Sequence, residues 1–345
     1  MNRHSIFRAA LIGAAVALTA GTAAADPTIV LVDPPGSTGT STSANSLSKK
    51  GELTGAYGDS QSHIHGFLRK KSGAFITVGA DGDQPMASND RRVVAGVYPS
   101  SGWHGFVVAK DGSITRFDAP GADGSGTGTV PLAVNNKGEI AGKWATSARL
   151  NHGFVREPTG DIATFDAPGA GTQLDQGTFV QAMNAKGFVC GYYMDQASGY
   201  HGFLRSSRGK VTEIDAAGAG SGAARGTQIF AMNDKGAVSG VLFDSMGASH
   251  GFVIDAHGSQ TTFDIPNRSN MLVTGMNNAG DIVGYYSDSS VGRQRAFLRD
   301  EAGNLTIFDV SSGGDSFAYD INDKGVISGF YIDGFGGGHA FLRKP

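Results

Sequence analysis

Phe179 to Asp215 read FVQAMNAKGFVCGYYMDQASGYHGFLRSSRGKVTEID, and this stretch decides the fold. A first apolar run ends at the turn Asn184-Ala185-Lys186-Gly187. A second passes through Gly191 to Tyr193, a third opens at His201-Gly202-Phe203, and a fourth, Val211 to Asp215, follows the turn Ser207-Arg208-Gly209. Asn first and Gly last suit a tight hairpin turn, because Asn bonds its own backbone and Gly tolerates positive φ. Four short runs between turns, without the 3.6-residue apolar period of a helix, predict four antiparallel strands, here called A to D.

The unit recurs along the chain. His-Gly-Phe begins at His65, His104, His152, His201 and His250, with later copies reading Arg295-Ala296-Phe297 and His339-Ala340-Phe341, spaced 39 to 49 residues apart. A glycine on strand B precedes each copy: Gly55, Gly96, Gly142, Gly191, Gly240, Gly284 and Gly329. Four strands per repeat at this period predict an all-β chain, a seven-bladed β-propeller of four-stranded blades. The seventh repeat stops after strand C at Arg343, while Thr28 to Asp33 matches a strand D. The N-terminal strand is therefore expected to complete the last blade, which would leave no exposed edge there.

The turns Asn233-Asp234-Lys235-Gly236 and Asn322-Asp323-Lys324-Gly325, the Gly-x-Tyr of strand B and the His-Gly/Ala-Phe of strand C occur together. In that combination residues 28–345 resemble the HAF-repeat family of bacterial extracellular proteins, named for a tripeptide seen here as His339-Ala340-Phe341. The resemblance implies an exported, propeller-like repeat protein. It implies no reaction and no catalytic residue.

Composition narrows the rest. One cysteine among 345 residues excludes a disulfide scaffold, and Cys190 in an apolar run reads as a buried small hydrophobe. A net charge of −3 without a dense basic run argues against nucleic-acid binding. Arg3 and Arg8, the apolar run Ala9 to Ala20 and the small residues Ala23-Ala24-Ala25 read as a secretory signal peptide over residues 1–25. One propeller domain over 26–345 then follows, periplasmic or extracellular, not membrane-spanning, monomeric and without a cofactor. No later apolar run is long enough to span a bilayer.

Candidate sites fall into three groups. Asp59 and His65, Asp195 and His201, Asp244 and His250, and Asp333 and His339 each lie six residues apart across the B–C hairpin. Metal binding or acid–base catalysis would use such pairs. Their recurrence around the chain favours a structural hydrogen bond, and no His-x-x-Glu-His or His-Glu-x-x-His cluster points to a metal. The aromatics ending strand B, such as Tyr193 and Tyr331, read as inter-blade core, with Trp144 beside Lys143 as an exception. Arg225, Arg293 and Arg295 break the repeat and are candidates for an acidic ligand.

D–A loops and B–C turns share one face. The loops 119–130, 167–178 and 216–228 are long and rich in Gly, Thr and Ala, so binding is expected there, with Lys143, Trp144 and Arg225. The opposite face, made of tight A–B and C–D turns, is expected to offer little concave surface. The favoured function is a non-enzymatic scaffold for an unidentified protein or glycan partner. The alternative is a lyase or hydrolase at the central mouth, where Gln181, Gln228 and Asp320 are the polar candidates; a purely structural envelope module is a third reading.

Overall fold

The computed structural model describes residues 26–39, 41–122, 128–266 and 269–345. The expected signal peptide, residues 1–25, lies outside the described residues. Among these there are 28 strands and no helix. The strands follow the expected order. In the repeat quoted above they are Gly177–Met183, Val189–Met194, Tyr200–Arg205 and Val211–Ile214, each antiparallel to the one before it.

Pairing gives four four-stranded sheets and one of twelve strands. The large sheet joins three such meanders by single parallel bridges, Asn151 to Gly177 and Tyr200 to Gly226. Only glycine fits at these joints: Gly177 has φ +108°, and a Cβ there would lie 2.0 Å from the Asn151 carbonyl oxygen. At the other end of the order, the strand Thr28–Val32 runs antiparallel to Gly338–Lys344, from Thr28 opposite Lys344 to Val32 opposite Ala340.

The recurrent residues explain why neighbouring repeats pack. The strand C phenylalanines Phe67, Phe106, Phe154, Phe203, Phe252, Phe297 and Phe341 are fully buried, each removing from water area worth ~1.5–3 kcal/mol. Phe203 meets Phe165 on strand D of the preceding repeat edge-on at 6.0 Å, and Arg205 lies 4.9 Å over the same Phe165 ring. The same pair of contacts joins Phe341 and Arg343 to Phe308. These guanidinium groups are buried, which lowers the affinity of Arg205 and Arg343 for their protons.

The turn asparagines act within and between repeats. Asn184 Oδ1 accepts the N–H groups of Lys186 and Phe188, while its Nδ2 donates to the Asn233 carbonyl at 3.3 Å. Asn233 donates likewise to Asn277, Asn277 to Asn322, and Asn322 to the Ser48 carbonyl at 3.2 Å. That last bond ties the end of the chain to its first repeat. In the second repeat Arg92 takes the left-handed backbone that glycine holds elsewhere, with φ 61°, and its guanidinium clasps the buried Glu52. Cys190 is fully buried, and burial pushes its thiol up to about 12.

Candidate functional site

Each strand A carries a β-bulge three residues before its turn, for example between Ala44 and Ser46, Val180 and Ala182, and Ala318 and Asp320. A bulge leaves one residue outside the ladder and re-aims it. The seven residues so released are Asn45, Met86, Leu132, Gln181, Phe230, Thr274 and Tyr319, and all line one central cavity of about 320 Å³. That volume lies at the lower end of small-molecule sites, ~300–1,000 Å³. At this position, unlike its neighbours in the repeat, every residue is different. The wall combines apolar, aromatic, amide and hydroxyl groups.

Asp320 adds a charge. It stands where Ala87, Ala133, Ala182 and Ala231 stand in other repeats, and it lines the cavity. Its Oδ2 accepts the Leu47 N–H at 3.0 Å and its Oδ1 the Ile321 N–H at 2.8 Å. The cavity keeps the side chain in partial contact with solvent, but protein encloses it otherwise. Enclosure pushes the carboxyl up to about 6, against the opposing pull of those two N–H donors. Burial also pushes the neighbouring Tyr319 hydroxyl up to about 12, helped by Tyr285.

The cavity's rim is formed by the A–B turns. There Lys49 hydrogen-bonds Asp234 and lies 3.4 Å from Asp323, and the Asn278 amide bridges the same two carboxylates at 3.1 and 3.0 Å. Burial alone would lower the Lys49 pKa, but the bonds and charges of Asp234 and Asp323 outweigh it and raise it. The expectation of little concavity on the turn face is therefore corrected. The turns surround a shared axis, and the strand A ends beneath them leave it open.

The opposite face carries the histidines. His201 Nδ1 lies 2.7 Å from Asp215, the residue after strand D, whereas Nε2 is 3.4 Å from Asp195. His250 stands 2.7 Å from Asp264 and 3.6 Å from Asp244; His339 stands 3.0 Å from Asp33 and 3.4 Å from Asp333. In these three repeats the shorter contact is to the carboxylate just past strand D, fourteen residues from histidine in the first two and just past the N-terminal strand in the third. The strand B aromatic backs the ring, as Tyr193 does for His201 at 4.9 Å and Tyr331 for His339 at 5.0 Å. In the first repeat His65 instead reaches Asp59 at 3.0 Å.

His201→Ala should cost about 1 kcal/mol, as for one hydrogen bond, and double-mutant cycles should show stronger coupling to Asp215 than to Asp195. Burial lowers the His201 pKa, but Asp215, Glu213 and Asp195 outweigh it and raise it. The histidine therefore binds its proton more tightly in the folded chain, so its contribution is complete below the ordinary histidine range. It is lost as pH rises through the folded pKa. Denaturation midpoints measured across that range should fall with pH in the parent and lose this component in His201→Ala.

The other sequence candidates are placed differently from expectation. Trp144 is a buried residue stacked on His152 at 4.2 Å, and its Nε1 meets no acceptor among the described residues; it is not a surface platform. Lys143 points to the other side of the sheet and lies 5.3 Å over the Phe179 ring, with burial lowering its pKa. Arg293 and Arg295 both bind Asp309, the latter through two bonds of 3.0 Å, so their donors are directed inward rather than toward a ligand. Arg225 is half-buried and bonds the carbonyls of Ala224 and Ser245.

Two of the three long loops are cross-bonded to neighbouring turns through backbone N–H groups rather than free. Asp175 donates to the Arg149 carbonyl and Ala224 to that of Ser198; residues 123–127 of the first loop lie outside the described residues. Gln181 and Asp320 reach the cavity, whereas Gln228 does not line it. The other bulge residues are not among the sequence candidates. Their signal was legible: the residue three before the turn Asn differs in every repeat.

No protein-family profile matches the chain, and no curated protein matches it in sequence. Among solved structures, the β-propeller domain of the Trilobed protease from Pyrococcus furiosus superposes with a TM-score of 0.57 at 8% identity, over 87% of this chain and 95% of that one. The Pyrococcus horikoshii acylaminoacyl peptidase superposes with a TM-score of 0.57 at 9% identity, over 89% of this chain and 52% of that one. The chain thus spans about half the length of that peptidase. At such identities the likeness carries the fold, a β-propeller, and not the activity. Among the described residues no helix is long and apolar enough to cross a membrane.

Proposed function

We propose that the chain is an exported seven-bladed β-propeller, one domain over residues 26–345, that binds the end of a glycan in its central cavity without turning it over. Seven sequence repeats and the pairing of Thr28–Val32 with Gly338–Lys344 support the blade count and the closure. The signal-like residues 1–25 and the likeness to the HAF-repeat family support export to the periplasm or beyond. The observation that carries the binding reading is the bulge series. Repeats that agree elsewhere differ at the bulge residue that each brings to the cavity. Phe230 and Tyr319 offer stacking faces, Asn45 and Gln181 offer amides, and Asp320 offers a carboxylate that accepts hydroxyl donors, the groups a sugar ring requires.

The hydrolase reading rests on Asp320, whose carboxyl near 6 suits a general acid. Glycoside hydrolysis uses two carboxyl groups, and the rim carboxylates Asp234 and Asp323 are held by Lys49 and Asn278. Binding is the better-supported role.

A panel of neutral, amino and acidic mono- and disaccharides, screened by thermal shift, tests it. A ligand at a hundred times its Kd adds about 2.7 kcal/mol of stability, a shift of several degrees. Asp320→Ala should weaken that binding about tenfold to a hundredfold, the worth of a hydrogen bond to a charged group. Affinity should also fall as pH drops through about 6, where the carboxylate gains its proton. A panel without a single shift, or a shift that Asp320→Ala and Tyr319→Ala both retain, would remove the cavity from consideration. Product release from any saccharide, abolished by Asp320→Asn, would establish the hydrolase instead.

A further inference from the structure

We propose that the B–C hairpin of the first repeat binds a divalent cation of the zinc class through Asp59, His63 and His65. The three side chains bring their ligand atoms within 4.8 Å of one another. Asp59 Oδ2 is 3.0 Å from His65 Nε2 and 3.4 Å from His63 Nδ1. Tetrahedral zinc, with bonds of ~2.0–2.1 Å, holds its ligand atoms about 3.3 Å apart. The two Asp59–histidine spacings are already close to what the ion requires.

The hairpin holds this geometry in place. Asp59 Oδ1 accepts the N–H groups of Gln61 at 2.8 Å and His63 at 2.9 Å, which turns Oδ2 toward the two imidazoles. His65 Nδ1 lies 3.1 Å from Asp81 Oδ1. A carboxylate on the far nitrogen fixes the tautomer of a metal-binding histidine and presents the other nitrogen as a lone pair. The Tyr57 ring, 5.3 Å away, backs the His65 imidazole. On binding, the cation takes the place of the proton between Asp59 Oδ2 and His65 Nε2, and that proton is released to solvent. Two imidazoles and one carboxylate suit zinc rather than calcium or magnesium, which prefer oxygen donors. Three protein ligands leave a fourth position for water.

This arrangement belongs to one repeat. His63 stands where the others have Gly102, Leu150, Gly199, Ala248, Arg293 and Gly337, so no other repeat has a second imidazole there. The comparable group His201, Glu213 and Asp215 offers a single imidazole, and Tyr193 already donates to Glu213. A structural pin needs only the Asp–His pair that five of the other repeats have; the second histidine is what a pin does not explain.

Zinc chloride titrated into the purified protein, followed by calorimetry, should show one saturable site per chain. Cobalt(II) in its place should give the visible absorption of a tetrahedral nitrogen–oxygen site. His63→Ala should weaken zinc at least tenfold while melting like the parent in the presence of a chelator, because the His63 ring is largely exposed. Asp81→Asn should weaken it by ~10–100-fold, and His201→Ala should leave it unchanged. Absence of saturable binding by the parent would overturn the proposal. So would zinc affinity that His63→Ala retains, or that His201→Ala loses equally.

Discussion

Removal of residues 26–36 should lower the melting temperature by about 10 °C or leave the chain unable to accumulate in folded form. The strand Thr28–Val32 covers Gly338–Lys344 along five residue pairs. Val32 is fully buried, and Ile29 and Val30 pack against two different apolar clusters. Beyond the strand, Asp33 accepts from His339 at 3.0 Å. Deletion strips all of this from one side of a strand whose Phe341 and Leu342 are in the core. The lost burial alone amounts to about 4 kcal/mol. The new edge would also offer unpaired backbone groups to other chains. A graded variant keeps the test informative if the truncation aggregates: Val32→Ala should cost about 2 kcal/mol. Calorimetry on both decides it. A truncated chain that melts with the parent would show that the N-terminal strand is an ornament and not a closure.

Gly284→Ala should cost about 3 kcal/mol or more, a large effect for one methyl group. A Cβ at Gly284 would lie 2.0 Å from the Leu272 carbonyl oxygen and 2.7 Å from the Phe297 ring. The ring is in the core, and the carbonyl belongs to the neighbouring strand, so neither can yield without opening the sheet. The same collision faces Gly142 and Gly329, which is why strand B has glycine at this place in every repeat. Gly334→Ala is the control. Nothing lies within 4 Å of its added Cβ, and removing a glycine at an unstrained site changes stability by only ~0.4–1 kcal/mol. Chemical denaturation of the two variants should separate them clearly; equal midpoints would refute the close-approach account.

The repeat period, the strand order, the turn asparagines, the burial of Cys190 and the pairing partner of Thr28–Val32 were all legible in the amino-acid sequence. They could be read because each depends on interactions within a repeat or on the comparison of one repeat with the next. His-Gly-Phe places a core phenylalanine wherever it occurs, and Asn-x-x-Gly closes a hairpin wherever it occurs. The strand B aromatics read as core from the sequence, with Trp144 beside Lys143 as the exception. Alternation along the strand puts those two on opposite sides, with Trp144 on His152 and Lys143 over Phe179. The six-residue spacing points to a histidine partner along the hairpin. The shorter contact in three repeats is to the residue after strand D, which lies beside strand C only once the sheet has formed.

The central cavity depended most on tertiary structure. Asn45, Gln181, Phe230 and Tyr319 come from different repeats, and each is an unremarkable strand residue in its own. Bulges turn them inward, and packing of the repeats around one axis brings them to a common space. Sequence alone determined what the repeats share, since shared residues do the same local work in each. What the repeats do not share acquires a meaning only when the fold sets residues from distant repeats face to face.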